Sequence, residues 1–296
     1  MALFGSIEAG GTKFVCGVGT SPDDLVTTSI PSTTPAATLD RVVAFFRERA
    51  GGELSAVGIG SFGPVDLDPL SATFGYITST PKLPWQNCDL AGAVGRALGV
   101  PVGFDTDVNA AALGESRWGA GRELSDFLYL TVGTGIGGGA MAGGQVVHGL
   151  THTEMGHIRV PHDVTADSYP GCCPYHGDCL EGLASGPAIE GRWGAAPEDL
   201  PPDHPAWLLE AKYLGLGLVN WVCTLSPRRI IVGGGVMQQE QIFGMLRCEL
   251  TRLLNGYIRA SALGDELERY VVPPALGNRS GVLGGIVLAE MAYQPS

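Results

Sequence analysis

Gly5-Ser6-Ile7-Glu8-Ala9-Gly10-Gly11-Thr12-Lys13-Phe14-Val15-Cys16-Gly17-Val18-Gly19 is the stretch from which the rest of the chain can be read. Two short apolar runs, Ser6-Ile7-Glu8 and Phe14 to Val18, flank a turn with adjacent glycines, so a β-hairpin opens the chain. Gly10 and Gly11 expose consecutive backbone N–H groups, and Thr12 and Lys13 add a hydroxyl and an ammonium. All of these suit anionic oxygens, with Glu8 placed to partner a Mg2+ held through water. By itself the turn also fits a tight hairpin that needs positive φ.

The same grammar restarts at Phe127. Phe127 to Val132 reads as a strand, Gly133-Thr134-Gly135-Ile136-Gly137-Gly138-Gly139 as a glycine turn, and Ala140-Met141-Ala142 as the return strand. This is an internal repeat of one supersecondary unit, and two such Gly/Thr turns are suited to clamp a polyphosphate. After the first hairpin come a helix over 37–50, an apolar strand at Ala56 to Gly60 ending in Ser61-Phe62-Gly63-Pro64, a helix over 90–98 and a strand at Val100 to Phe104. After the second come a helix over 213–225, a strand at Arg229 to Val232, the turn Gly233-Gly234-Gly235-Val236-Met237 opening a helix over about 239–254, and a closing helix over 282–292. Alternating strands and helices predict an α/β protein with mostly parallel sheet, in two lobes with a cleft between them.

Asp105-Thr106-Asp107-Val108-Asn109 stands at the carboxyl end of a strand and the start of a small-residue helix. A carboxylate there can accept a hydroxyl proton as general base, or it can cap the helix; position alone does not separate the two aspartates. Gly233-Gly234-Gly235 lets a flat ring or a phosphate lie against bare backbone, or lets two elements pack closely; it does not match the G-x-G-x-x-G dinucleotide pattern.

The run from Glu154 to Glu181 crowds together soft ligands and carboxylates. His157, Cys173, His176 and Cys179 supply the four ligands of a tetrahedral zinc site, with Cys172 and His162 as competing ligands. A histidine that binds metal through one nitrogen can present the other to a ligand. His148, His152 and His204 read as ordinary polar or core histidines.

The 18 basic and 30 acidic residues give a net charge of −12, with no Lys/Arg cluster, which argues against a nucleic-acid surface. Any phosphate must then be held locally, by backbone and by a metal ion. No long uncharged apolar run or leader sequence is present, and seven cysteines, three of them near the candidate metal cluster, fit a reducing cytoplasm better than a disulfide framework.

With these motifs assembled, the chain resembles the ROK family of sugar kinases, end to end. The resemblance rests on Glu8-x-Gly-Gly-Thr12-Lys13, Gly60-x-x-Gly63-Pro64-Val65, Asp107-Val-Asn109-Ala-Ala-Ala-Leu-Gly-Glu115, Gly133 to Gly139, Glu154-x-Gly-His157 and Gly233 to Met237. It implies the actin-like, hexokinase-type ATPase fold with ribonuclease H-like lobes: an N-terminal lobe over 1–115, a C-terminal lobe over 116–280, and a C-terminal helix over 281–296 packing back on the first. Asp107 would be the base, and Gly63, Pro64, Ser79, Thr106, Glu154, His157 and Glu181 would hold the sugar. Glu8, Gly10, Gly11, Thr12, Lys13, Gly133, Thr134, Gly135, Pro187, Gly234, Gly235, Val236, Met237 and Gln238 would hold Mg-ATP.

Two departures from the common family pattern carry information. Glu8 replaces an aspartate, and Cys173-Pro-Tyr-His176-Gly-Asp-Cys179 replaces C-x-C-G-x2-G-C. Both resemble the zinc-containing bacterial fructokinase branch, as does Ser79-Thr80-Pro81-Lys82-Leu83-Pro84-Trp85. The resemblance therefore implies phosphorylation of fructose to fructose 6-phosphate, with glucose, mannose or an N-acetylated hexosamine as alternative substrates. It also implies a structural zinc and a homodimer. A sugar-responsive repressor of the same family would carry a helix-turn-helix ahead of the first phosphate loop; here that loop begins at Glu8, and the acidic charge opposes DNA binding.

Overall fold

Antiparallel pairing of β1 (Leu3–Ala9) with β2 (Lys13–Gly19) sets Glu8 opposite Val15 and Ala9 opposite Phe14, which forms the opening hairpin. The computed structural model describes residues 2–294. A strand not foreseen in the sequence, β3 (Val26–Pro31), extends the hairpin; of its residues only Ile30 is buried, so it lacks the alternation that marks a half-buried strand. Next comes α1 (Pro35–Ala50), capped by Thr34, whose side chain accepts from the Ala37 amide, and started by proline where no amide donor is needed.

The chain then enters β4 (Leu54–Ser61), parallel to β1. A small antiparallel pair, β5 (Tyr76–Ile77) and β6 (Cys88–Asp89), brackets the loop with Ser79 and Trp85. After α2 (Leu90–Leu98), β7 (Val102–Thr106) adds in parallel to β4 and runs directly into α3 (Asp107–Trp118). The sheet order is β3-β2-β1-β4-β7.

The second unit repeats this plan. β8 (Phe127–Val132) and β9 (Ile136–Ala142) form its hairpin, β10 (Gln145–Val146) its edge. The helices α4 (Leu180–Ala184), α5 (Gly186–Trp193) and α6 (Ala206–Leu225) lead to β11 (Ile230–Gly233), parallel to β8. Then follow α7 (Gln241–Leu254), α8 (Leu267–Tyr270) and β12 (Val271–Val272), parallel to β11. The order β10-β9-β8-β11-β12 matches the first sheet position for position.

Three local expectations are corrected. The glycine turn ends at Gly135, because Ile136 to Gly139 already pair with Val132, Thr131, Leu130 and Tyr129 as part of β9. α6 starts at Ala206, ahead of the expected Tyr213. The Gly233–Gly235 turn does not open a helix directly; a 3₁₀ turn, Val236–Gln238, intervenes before α7.

The last helix, α9 (Ser280–Ala292), belongs with the first unit and packs on α3, β4, β1 and β7. Its closeness requires glycine. A methyl group on Gly284 would collide with the carbonyl of Ala110 in α3, and one on Gly58 of β4 would collide with the carbonyl of Gly285. Glu115 fixes the approach to this helix. Its buried carboxylate accepts from the amides of Ala275 (3.2 Å) and Leu276 (3.0 Å), the hydroxyl of Ser280 (2.7 Å) and the amide of Ala120 (2.6 Å).

The units comprise residues 1–123, 146–153 and 275–296, and residues 124–145 and 154–274. The segment 146–153, expected in the C-terminal lobe, thus groups with the N-terminal one.

Candidate functional site

In the first unit the Gly10 amide donates to the Lys13 carbonyl (3.0 Å), closing the first glycine turn and leaving Thr12 and Lys13 exposed. Glu8, at the end of β1, turns its carboxyl toward the start of α9, where a side chain on Gly281 would strike it. Its Oε2 is buried without a hydrogen-bond partner among the described residues. Burial raises its pKa to about 7, against the lowering effects of the Lys13 charge and the Val282 backbone.

At the strand-to-helix junction the cap of α3 is Thr106, whose side chain accepts from the Asn109 amide (3.2 Å). Asp107 therefore occupies the first helical turn, half-buried, with Oδ1 accepting from the Val108 amide at 2.9 Å. Asp105 is buried. Its Oδ1 accepts from the Thr106 amide and from Asn109 Nδ2, both at 2.7 Å, and its Oδ2 lies 2.9 Å from His148 Nε2. Asp105 is thus tied to Thr106, Asn109 and His148, while Asp107 stands at the start of the helix.

The hydrogen bond to Asp105 raises the His148 pKa above its ordinary value. His152 accepts the Val65 amide on Nε2 (3.1 Å), beside the cis Gly63–Pro64 peptide, so residues 146–153 are held to the Gly63–Val65 loop and to the end of β7 by two histidines. Both act as the ordinary polar or core histidines expected of them, but the sequence carries no signal of their partners, the Asp105 carboxylate for His148 and the Val65 amide for His152. Ser79 is exposed on the loop between β5 and β6.

The second unit brings its expected nucleotide residues together. The Gly186 amide donates to the Gly133 carbonyl (2.7 Å), which joins the start of α5, with Pro187, to the second glycine turn. A methyl group on Gly133 would lie 3.7 Å from the Gly235 amide nitrogen, so the turns after β8 and β11 are neighbours. Gly234 adopts φ +98°, against the Val132 backbone, where only glycine fits. Val236 and Met237 are buried beneath this turn, while Thr134 and Gln238 are exposed. Glu181, expected to hold sugar, sits at the same turn: its Oε2 accepts the Ile136 amide at 2.9 Å.

His157, Cys173, His176 and Cys179 converge, their ligand atoms all within 4.8 Å of one another. His157 Nδ1 is 3.3 Å from His176 Nδ1, 3.7 Å from Cys173 Sγ and 3.6 Å from Cys179 Sγ, and Cys173 Sγ is 3.6 Å from His176 Nδ1. Tetrahedral zinc, with its usual bond lengths to nitrogen and sulfur, requires edges of about 3.3 Å between nitrogens and about 3.6 Å between nitrogen and sulfur. The donor set therefore fits zinc in both chemistry and spacing. Of the two competing ligands, Cys172 points elsewhere, 3.7 Å from Ser185 Oγ, and His162 bonds Asp178 and the Asp167 carbonyl. His157 turns its other nitrogen, Nε2, toward Glu154 Oε2 at 3.9 Å. Arg159 clamps the loop by bonding Asp178 (2.6 Å) and the His176 carbonyl (2.7 Å).

Comparison with known proteins identifies the family. The ROK family profile matches residues 4–292. The fructokinase of Pediococcus pentosaceus is 42% identical, covering 99% of this chain and 99% of its own. That of Zymomonas mobilis is also 42% identical, covering 98% and 97%. Among solved structures, a ROK family glucokinase from Streptomyces griseus in complex with glucose and AMPPNP aligns with a TM-score of 0.77 at 27% identity, over 98% of this chain and 100% of that one.

Proposed function

The chain belongs to the ROK family, and from that premise we propose that it is an ATP-dependent fructokinase, transferring the terminal phosphoryl group of ATP to fructose to give fructose 6-phosphate and ADP. The observation that carries this reading is full-length identity of 42% to fructokinases, against 27% to the glucokinase of matching fold. Its two units have the α/β plan of the actin-like, hexokinase-type class.

In the first unit, Asp107 is the general base. As the sugar oxygen bonds to the γ-phosphorus, the bond from that phosphorus to the β–γ bridging oxygen breaks, and the hydroxyl proton passes to the Asp107 carboxylate. Thr106, by capping α3, holds that carboxylate in the first helical turn instead of letting it cap the helix itself. Gly63, Pro64 and Ser79 line the sugar, and Gly10 to Lys13 supply amides and charge for the phosphates. The unpartnered Glu8 oxygen supports a Mg2+ held through water, which would neutralise phosphate charge.

In the second unit, Glu154 and His157 hold sugar hydroxyls. Gly133 to Gly135, Pro187 and Gly234 to Gln238 hold the nucleotide, with Glu181 steadying the first of these turns. His157, Cys173, His176 and Cys179 would hold a structural zinc ion, which would fix the orientation of His157, whose Nε2 faces Glu154. Seven unpaired cysteines support a cytoplasmic setting, and the family resemblance supports a homodimer.

Asp107→Asn tests the mechanism. The expected result is a fall in kcat of about a thousandfold with nucleotide affinity retained, within the range that general bases contribute. Full retention of kcat would remove Asp107 from the role.

A further inference from the structure

Lys82 lies in the Ser79–Trp85 run, where the resemblance gives it no role of its own, yet its position is unusual. Of the 18 basic residues only three are lysines, Lys13, Lys82 and Lys212. Two of these three meet at the first glycine turn. The Lys82 side chain lies along the bare backbone of Gly11: a methyl group there would collide with its Cε and come within 3.2 Å of Nζ. Lys82 makes no ion pair among the described residues, in a chain whose net charge is −12. An ammonium without a carboxylate among the described residues, set against half-buried Gly11 in an acidic protein, is arranged for an anion from outside.

The segment that carries it is firmly anchored. The Lys82 carbonyl accepts the Trp85 amide (2.8 Å), and buried Trp85 packs on Phe14, the residue after Lys13, with ring centroids 5.1 Å apart. The Trp85 indole donates to the Thr33 carbonyl (3.0 Å), and the Gln86 side-chain Nε2 donates to the Thr80 carbonyl (2.9 Å). One aromatic pair therefore fixes the origins of both lysines. The ammonium itself, on an exposed flexible stem, stays free to follow a moving group.

We propose that Lys82 is a catalytic residue of the phosphoryl transfer, its ammonium binding the terminal phosphoryl group of the nucleotide at Gly10–Gly11. The inference rests on the kinase reading and adds to it a cation delivered by the sugar-side loop, which also carries Ser79. Lys82 forms and breaks no covalent bond. It offsets charge on the equatorial oxygens of the phosphoryl group while the leaving ADP carries away the electron pair.

The test is calorimetric titration of the full chain with Mg2+ and either ADP or AMPPNP, comparing wild type with Lys82→Met. Because the contact is to the terminal phosphoryl group, affinity for AMPPNP should fall about tenfold or more while that for ADP stays within about threefold, as expected for loss of one charge-assisted hydrogen bond. In the same variant kcat should fall by about a hundredfold. Equal losses for both nucleotides, or an unchanged AMPPNP affinity, would overturn the assignment of Lys82. Lys82→Gln provides the same comparison if the methionine variant fails to fold. Failure of the wild type to bind either nucleotide would instead sink the kinase reading on which the assignment stands.

Discussion

Glu8 is held with its carboxyl against α9, so its charged form is disfavoured by folding. Below its ordinary pKa the group is neutral whether the chain is folded or not, and folding incurs no penalty. As pH rises through about 7, the folded state must ionise a carboxyl that burial resists, and stability is lost. The His148 pKa is also raised, by Asp105, and stability from that pair likewise disappears as pH rises through its folded value. Denaturant unfolding without Mg2+ should therefore show lower stability at pH 8 than at pH 5, with Glu8 contributing up to about 3 kcal/mol of the difference. Glu8→Gln should flatten that slope, leaving the part due to His148; an unchanged slope would mean that Glu8 ionises freely. At this scale the sequence showed which residue types gather but not which of two neighbours acts. Whether Thr106, Asp105 or Asp107 caps α3 depends on where β7 stops, and whether Cys172 or Cys173 joins His157, His176 and Cys179 depends on a loop's local path. Both are settled only by tertiary packing.

At the scale of elements, two packing devices carry testable weight. Gly284 lets α9 approach α3 backbone to backbone, and Gly284→Ala, which drives a methyl into the Ala110 carbonyl, should cost about 2 kcal/mol or more in chemical denaturation. A loss below about 0.5 kcal/mol would show that the helices can separate without penalty. The loop that carries His157, Cys173, His176 and Cys179 has short runs of regular structure and relies on side chains. Metal analysis of freshly purified protein should find zinc, and chelation should lower the thermal midpoint and weaken sugar binding; protein that is zinc-free yet fully stable would contradict the site. Long amphipathic helices and the buried central strands were legible from periodicity. The edge strands β3 and β10 and the two-residue β12 were not, since short or exposed strands leave little hydrophobic signal. The glycine-rich start of β9 looked like a turn for the related reason that glycine does not favour strands.

At the scale of the whole molecule, the repeated hairpin-then-parallel order in both sheets was visible in outline from two glycine turns about half a chain apart. The division into units was less so, because the chain passes between them more than once: residues 146–153 and 275–296 return to the first unit, and a linear reading assigns domains as unbroken spans. No helix among the described residues is long and apolar enough to cross a membrane. The proposed roles of the glycine turns, of Asp107 and of the Cys/His loop all rest on transfer of phosphate from ATP to a sugar. The most direct test is ADP release by the purified full chain with Mg-ATP and, in turn, fructose, glucose, mannose and N-acetylglucosamine. Turnover with fructose at a kcat/KM well above that for the other sugars is the predicted result. ADP release with another hexose, and none above background with fructose, would contradict it.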